Sequence, residues 1–175
     1  MHKDTQDLVR RIGETDQLFL SDNTPELALE RADLRLQLVT LSRVRQEQIH
    51  FLQEAIVLLE QGRISFDEMP MQLYLDLSLH LAKAYMIFFE IARDTKYAVI
   101  TTQILKPLTV HNHTEVYFFL AYAAAVQKEY ALTRHWLKKY EKTNQIDIEL
   151  LKEHPAFDAL REEIWFNQLI QTKLH

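Results

Sequence analysis

Apolar residues recur at helical spacing along most of this chain. Leu27, Leu34, Leu38, Leu41, Leu52, Ile56 and Leu59 follow one another at three- and four-residue steps or their sums. That spacing puts them on one face of helical structure from about residue 25 to Gln61. Thr24, Pro25 and Glu26 suit its start: a capping hydroxyl, a proline at the first helical position and an acid near the helix N-terminus. The polar stretch LSRVRQEQ at 41–48 reads as a junction between two helices or as the exposed waist of one long helix, and Gly62 reads as the closing C-cap. The next helix is expected from Ser65–Pro70 to about Arg93, opened by a capping box of Ser65 and Glu68 and broken at Asp94-Thr95. A helix from Lys96 to Lys106 stops at Pro107, and PLTVHNH follows as a loop. Asn112 with Glu115 resembles a cap for a helix ending near Gln127, and a partner helix spans Tyr130 to Thr143 and ends at Asn144. After His154-Pro155 a last helix is expected, with Phe157, Leu160 and Ile164 on one face and Arg161, Glu162 and Glu163 on the other. Residues 1–23 read as a polar leader with a short helix (Leu8, Val9, Ile12) ending at Gly13; residues 24–175 read as one helical domain.

Composition narrows the class. Two glycines and four prolines leave little turn chemistry for hairpins, so the fold is expected to be all-α. A net charge of −5 argues against nucleic acid as partner, the Arg43/Arg45 pair notwithstanding. With no cysteine, disulfides and thiolate chemistry are excluded. No run approaches the roughly 18 apolar residues of a membrane span, and the N-terminus has no apolar stretch of signal-peptide length, so a cytoplasmic protein without membrane insertion is expected.

The chain also repeats itself. YAVITTQIL begins at Tyr97 and YALTRHWLK at Tyr130, an offset of 33 residues that also pairs Tyr85 with Phe118, Ile87 with Leu120 and Phe89 with Tyr122. A period of this size in helix pairs is a signature of α-solenoids. Over 115–143 the chain resembles the tetratricopeptide repeat (TPR) family: Tyr117, Leu120, Ala121 and Ala124 in a first helix, then Tyr130, Thr133 and Leu137 in a second. The likeness weakens over 82–107 and in the stretched segment 31–56; the tail EHPAFDALREEIWFNQLI resembles the segment that ends such arrays. The resemblance implies stacked antiparallel hairpins with a C-terminal capping helix, and a concave groove lined by Ala82, Tyr85, Phe89, Arg93, Glu115, Phe118, Tyr122 and Val126, with Arg93 and Glu115 selecting charge at its edge. A plain helical bundle, in which these aromatics are core, is the alternative. Phe119, Leu120 and Ala124 are expected in the core, while Trp136 and Trp165 fit either core or a subunit contact.

Chemistry has little foothold. His111-Asn112-His113 can offer two metal ligands, with Glu115 or His80 as a third, but no spacing fixes that third ligand. Glu47 and His50 form an ExxH step of the di-iron type, without a second copy; Asp76 and His80 are the nearest echo. No Gly-flanked serine or Gly-rich phosphate loop is present. The expectation is a non-enzymatic interaction module, an adaptor, scaffold or chaperone-like protein that binds another protein or peptide in its groove, needs neither cofactor nor metal, and can form a homodimer. Size, acidity and one repeat also resemble the TPR chaperones of bacterial secretion. The alternative is a small bundle enzyme or sensor with His/Glu metal ligands.

Overall fold

The computed structural model describes residues 3–174, and among them there are helices and no strand. The chain divides into two compact units, Met1–Arg93 and Asp94–His175. The first holds α1 (Lys3–Ser21), α2 (Pro25–Leu41), α3 (Arg45–Ile64) and α4 (Met71–Ala92). The second holds α5 (Lys96–Leu105), a 3-10 segment (Lys106–His111), α6 (Thr114–Val126), α7 (Tyr130–Lys142), α8 (Ile148–Glu153), a second 3-10 segment (Pro155–Leu160) and α9 (Ile164–Leu174). Within each unit, neighbours in sequence pack together: α1 on α2, α2 on α3 and α3 on α4, then α5 on α6 and α6 on α7.

Local chemistry explains the joints. Thr24 accepts a hydrogen bond from the Leu27 amide and Pro25 occupies the first turn of α2, as the TPE sequence implies. The polar segment at 41–48 is a true junction: α2 ends at Leu41 and α3 starts at Arg45, with Gln48 Nε2 donating to the Ser42 carbonyl at 2.8 Å. Arg93, Asn112, Lys128 and Asn144 all adopt left-handed backbone at helix ends, taking the terminal role for which the sequence has almost no glycine.

Several expectations need correction. The leader's helix does not end at Gly13 but runs to Ser21 and packs on α2 within the first unit. Gly62 is not a cap. It lies inside α3, buried, and a Cβ there would stand 3.2 Å from Ala28 Cβ and 3.2 Å from Leu77 Cδ2, so its missing side chain lets α3 approach α2 and α4. Ser65 ends α3 instead of opening α4, which waits until Pro70 has passed. His113, not Asn112, caps α6, its Nδ1 accepting from the Glu115 amide at 3.2 Å, while Asn112 Oδ1 accepts from the Tyr117 hydroxyl at 2.7 Å. The final helix is split at 161–163, so Ile164, at 74% exposure, does not share a buried face with Phe157 and Leu160.

The 33-residue register also fails at α5 and α7. Ala98, Thr101 and Leu105 are buried on α5, but their counterparts at that offset, Ala131, Arg134 and Lys138, are exposed on α7. An offset of 35 matches buried to buried: Ala98 to Thr133, Thr101 to Trp136, Leu105 to Tyr140. Two residues turn a helix by about 200°, so matching the tyrosines puts the wrong faces together.

Candidate interaction groove

In the first unit, α1 and α3 flank one side of α2. Arg31, Arg35, Leu38 and Leu41 follow at steps of four, three and three along α2 and so share a stripe. Arg35 crosses the centre of this stripe. Its side chain is only 7% exposed. Nη2 donates to Asp16 Oδ2 of α1 at 3.2 Å, Nε donates to Glu54 Oε2 of α3 at 3.3 Å, and Nη1 donates to the Arg31 carbonyl at 3.1 Å. Arg31 Nε donates to Asp16 Oδ1 at 2.9 Å, and its guanidinium lies over the Phe19 ring at 4.3 Å. His50 Nε2 sits 3.1 Å from Glu54 Oε1. A guanidinium has donors for both carboxylates at once, which a lysine ammonium would not place in this planar fork. Arg35 therefore ties α1 to α3 across α2. Holding the pair together matters more than its net contribution, because removing one partner of a buried ion pair strands the other.

A pocket lies on either side of this bridge. One, of about 360 Å³, is lined by Arg31, Arg35, His50, Glu54, Val57 and Leu58. The other, of about 460 Å³, is lined chiefly by Val9, Leu38, Leu41, Arg43, Glu47 and Phe51. Apolar side chains stay open to water along these walls: Val9 is 48% exposed, Leu41 47% and Val57 53%. Among the described side chains of α1 only Thr15 is buried, so this helix is held by half-buried Leu8 and Ile12 and by its ion pairs, Arg11–Glu30 at 2.7 Å included.

The chain was also compared with known proteins. It matches no protein-family model, no curated protein and no solved structure.

The aromatics assigned to a concave strip fall differently. Phe118 and Tyr122 are buried inside the second unit. Phe118 packs against Tyr140 and Phe157 at centroid distances of 5.9 and 6.1 Å, and the His154 ring meets Tyr122 edge-on at 4.3 Å. The segment after α7 folds back over them, which gives these two residues to packing. Phe89 is buried, and Arg93 stacks on its ring at 5.8 Å. Tyr85 is half-buried and donates to Glu60 at 2.7 Å; Arg93 and Glu115 are exposed and Val126 is half-buried. Leu120 and Ala124 are buried as expected, whereas Phe119 is half-buried. Trp136 is a buried residue stacked near Tyr117 at 6.2 Å, and Trp165 is half-buried under Arg134.

His50 and His80 are engaged singly. Glu47 accepts from Ser42 Oγ at 2.9 Å and His50 turns to Glu54, so the ExxH pair is not assembled. His80 sits 3.3 Å from Asp33 Oδ1 through Nε2 and 2.8 Å from the Asp76 carbonyl through Nδ1. Both partners only accept, so the doubly protonated ring alone satisfies both. The Asp33 hydrogen bond accordingly raises the His80 pKa against the lowering effect of burial, and the Asp33 pKa is lowered, first by His80. Among the described residues, no group of three His, Asp or Glu side chains is placed to hold a metal ion, and no helix is long and apolar enough to cross a membrane.

Sequence reasoning missed Asp16, Arg31, Arg35 and Glu54. A signal was present: Arg35 stands between Leu34 and Leu36 and one turn from Leu38, on the apolar side of the helix, and a cation in that position needs partners from neighbouring helices.

Proposed function

We propose that this chain is a helical adaptor, built on TPR-like stacked helix pairs, that holds a segment of another protein in the groove between α1 and α3. The observation carrying this reading is the pairing of exposed Val9 and Leu41 across an open pocket. Covering apolar surface gathered in a concavity is favourable by about 25 cal/mol per Å² removed from water, and such patches mark interaction sites. The 35-residue spacing of buried positions on α5 and α7 lies near the roughly 34-residue period of TPR units, which supports the family-like build.

The reading is a binding protein rather than an enzyme, because the arginines and carboxylates at the centre of the groove, Arg31, Arg35, Asp16 and Glu54, hold helices together. Arg35, Arg31, Asp16 and Glu54 are joined by structural bonds that tie α1 and α3 to α2, and His50 is paired with Glu54. A cytoplasmic location suits the cysteine-free sequence.

Affinity capture from the native host tests this. Wild-type chain should retain a partner protein, Leu41→Arg should lose it, and Leu132→Arg, which charges an exposed leucine of the second unit, should keep it. Equal recovery by wild type and Leu41→Arg would remove the groove from the interaction.

A further inference from the structure

We infer that the solvent face of α7, in the second unit, docks an acidic segment of a partner protein on a double row of basic side chains. This surface is separate from the groove of the first unit and rests on different residues. Side chains sort by charge around α7. Thr133, Trp136, Leu137 and Tyr140 are buried and define its inner side. Arg134, His135, Lys138, Lys139 and Lys142 are all exposed. At about 100° per residue, these five span about 140° of the outer side. Arg134, Lys138 and Lys142 follow at steps of four and form one row, and His135 and Lys139 form a second beside it.

The acids around this face leave its C-terminal half unmatched. Glu141, the acid within α7, is half-buried at the margin of the face, and Glu129 stands at the opposite, N-terminal end. Glu115 and Asp147 act on Tyr140, which is on the inner side. Glu162 and Glu163 precede Trp165, over whose ring Arg134 lies at 5.5 Å, so they temper the Arg134 end. Among the described residues, Lys138, Lys139 and Lys142 have no ion-pair or hydrogen-bond partner.

A helix face left to water usually interleaves both signs, as α1 does with its Arg10–Asp7 and Arg11–Glu14 pairs. Along α7, Arg134–Lys138 and Lys138–Lys142 instead set like charges at i, i+4, which works against the helix. The helix macrodipole accounts for Lys139 and Lys142 in the last turn, but not for Arg134 and Lys138. An anion laid along the row converts this repulsion into attraction.

Spacing and surroundings select the occupant. The cations of the first row stand about 6 Å apart, four residues at 1.5 Å each. A chain rich in Asp or Glu repels itself into an extended form, in which alternate residues set carboxylates about 6.6 Å apart on one side. Such a segment stays nearly in step over the three cations. A membrane surface calls for apolar side chains to bury beside the cations, and this face offers only Ala131 and, at its margin, Leu132. A long nucleic acid feels the whole chain, whose net charge is −5, whereas a short acidic segment feels the charges within a Debye length of about 8 Å.

The test uses the full chain and a short rhodamine-labelled peptide of alternating glutamate and serine. Fluorescence anisotropy at low ionic strength should show saturable binding that weakens as salt is added. Lys138→Glu combined with Lys142→Glu should weaken it about tenfold or more. Lys138→Gln with Lys142→Gln, milder for the helix, should weaken it less, and Lys138→Arg with Lys142→Arg should keep it. Arg45→Glu with Lys106→Glu makes the same charge change at exposed sites off α7 and should leave affinity within about twofold. Circular dichroism should be unchanged throughout. Absence of saturable binding by wild type, or an equal loss in the Arg45/Lys106 control, overturns the proposal. So does tighter binding, through the same lysines, of a thymidine oligonucleotide or of vesicles of phosphatidylserine and phosphatidylcholine in equal parts. Salt-sensitive self-association that is lost in the Lys138→Glu, Lys142→Glu variant also overturns it, since a second copy then covers the face. Native-host capture through Leu41 reports on the groove alone, so either reading can fail without the other.

Discussion

Changing each of the two glycines to alanine should move stability in opposite directions, although both lie inside helices. Gly13→Ala adds a methyl where no atom lies within 4 Å, so only helix propensity changes, and the first unit should gain about 1 kcal/mol. Gly62→Ala carries the same propensity gain, but its methyl would meet Ala28 Cβ and Leu77 Cδ2, each at 3.2 Å. Carbon pairs prefer about 3.5–4.0 Å. The leucine is fully buried and the alanine methyl moves only with α2, so relief requires the helices to part. Overpacking of this kind costs about 1–3 kcal/mol. Set against the propensity gain, Gly62→Ala should be destabilised by about 1 kcal/mol, and the two variants should differ by about 2 kcal/mol. Urea denaturation followed by far-ultraviolet circular dichroism measures both; Trp136 and Trp165 lie in the second unit, so tryptophan fluorescence serves as the internal control. If Gly62→Ala stabilises as much as Gly13→Ala, the close approach of α3 to α2 and α4 is wrong.

The His80–Asp33 link should make stability depend on pH. The raised His80 pKa means its contribution is complete below about pH 6.5, the ordinary histidine value, and is lost as pH rises through the raised folded value; the lowered Asp33 pKa means loss only as pH falls below about 4. The stability difference between wild type and His80→Gln should therefore peak near pH 5 and shrink by about pH 8, staying below about 1 kcal/mol because both groups are roughly one-third exposed; a flat difference across that range would refute the link. Leu120→Ala should cost about 2–5 kcal/mol, measured by urea melts, because its site in the second unit is closed on all sides. Tyr122→Ala should likewise destabilise, by about 3 kcal/mol, since it strips the ring that His154 meets edge-on; unchanged melting would place the residue at the surface.

Helix positions were largely readable in the sequence, because they follow from local spacing and capping chemistry. The Thr24–Pro25 start, the break at Asp94-Thr95 and the Tyr130 helix all rest on neighbours within a few residues, whereas the sequence left 41–48 open between a junction and the waist of one long helix. The sequence by itself therefore determined an all-α chain of short, joined helices without cysteine chemistry. What it did not determine is which helix face meets which neighbour. Tyr97 and Tyr130 match as letters, yet the helices carrying them bury faces two residues out of phase, because burial is set by the partners a helix finds across space. Gly62 carries the composition of a cap and serves as a contact, since only α2 and α4 beside it make the missing methyl matter. Phe118 and Tyr122 carry the spacing of a groove and lie in a core because the segment at 154–157 returns to cover them. Arg35 looks like one more charge in a helix until Asp16 and Glu54, nineteen residues away on either side, meet it. Local periodicity is fixed by residues a turn apart. Contacts over such distances are fixed only when the chain closes on itself, and the candidate groove is made entirely of those.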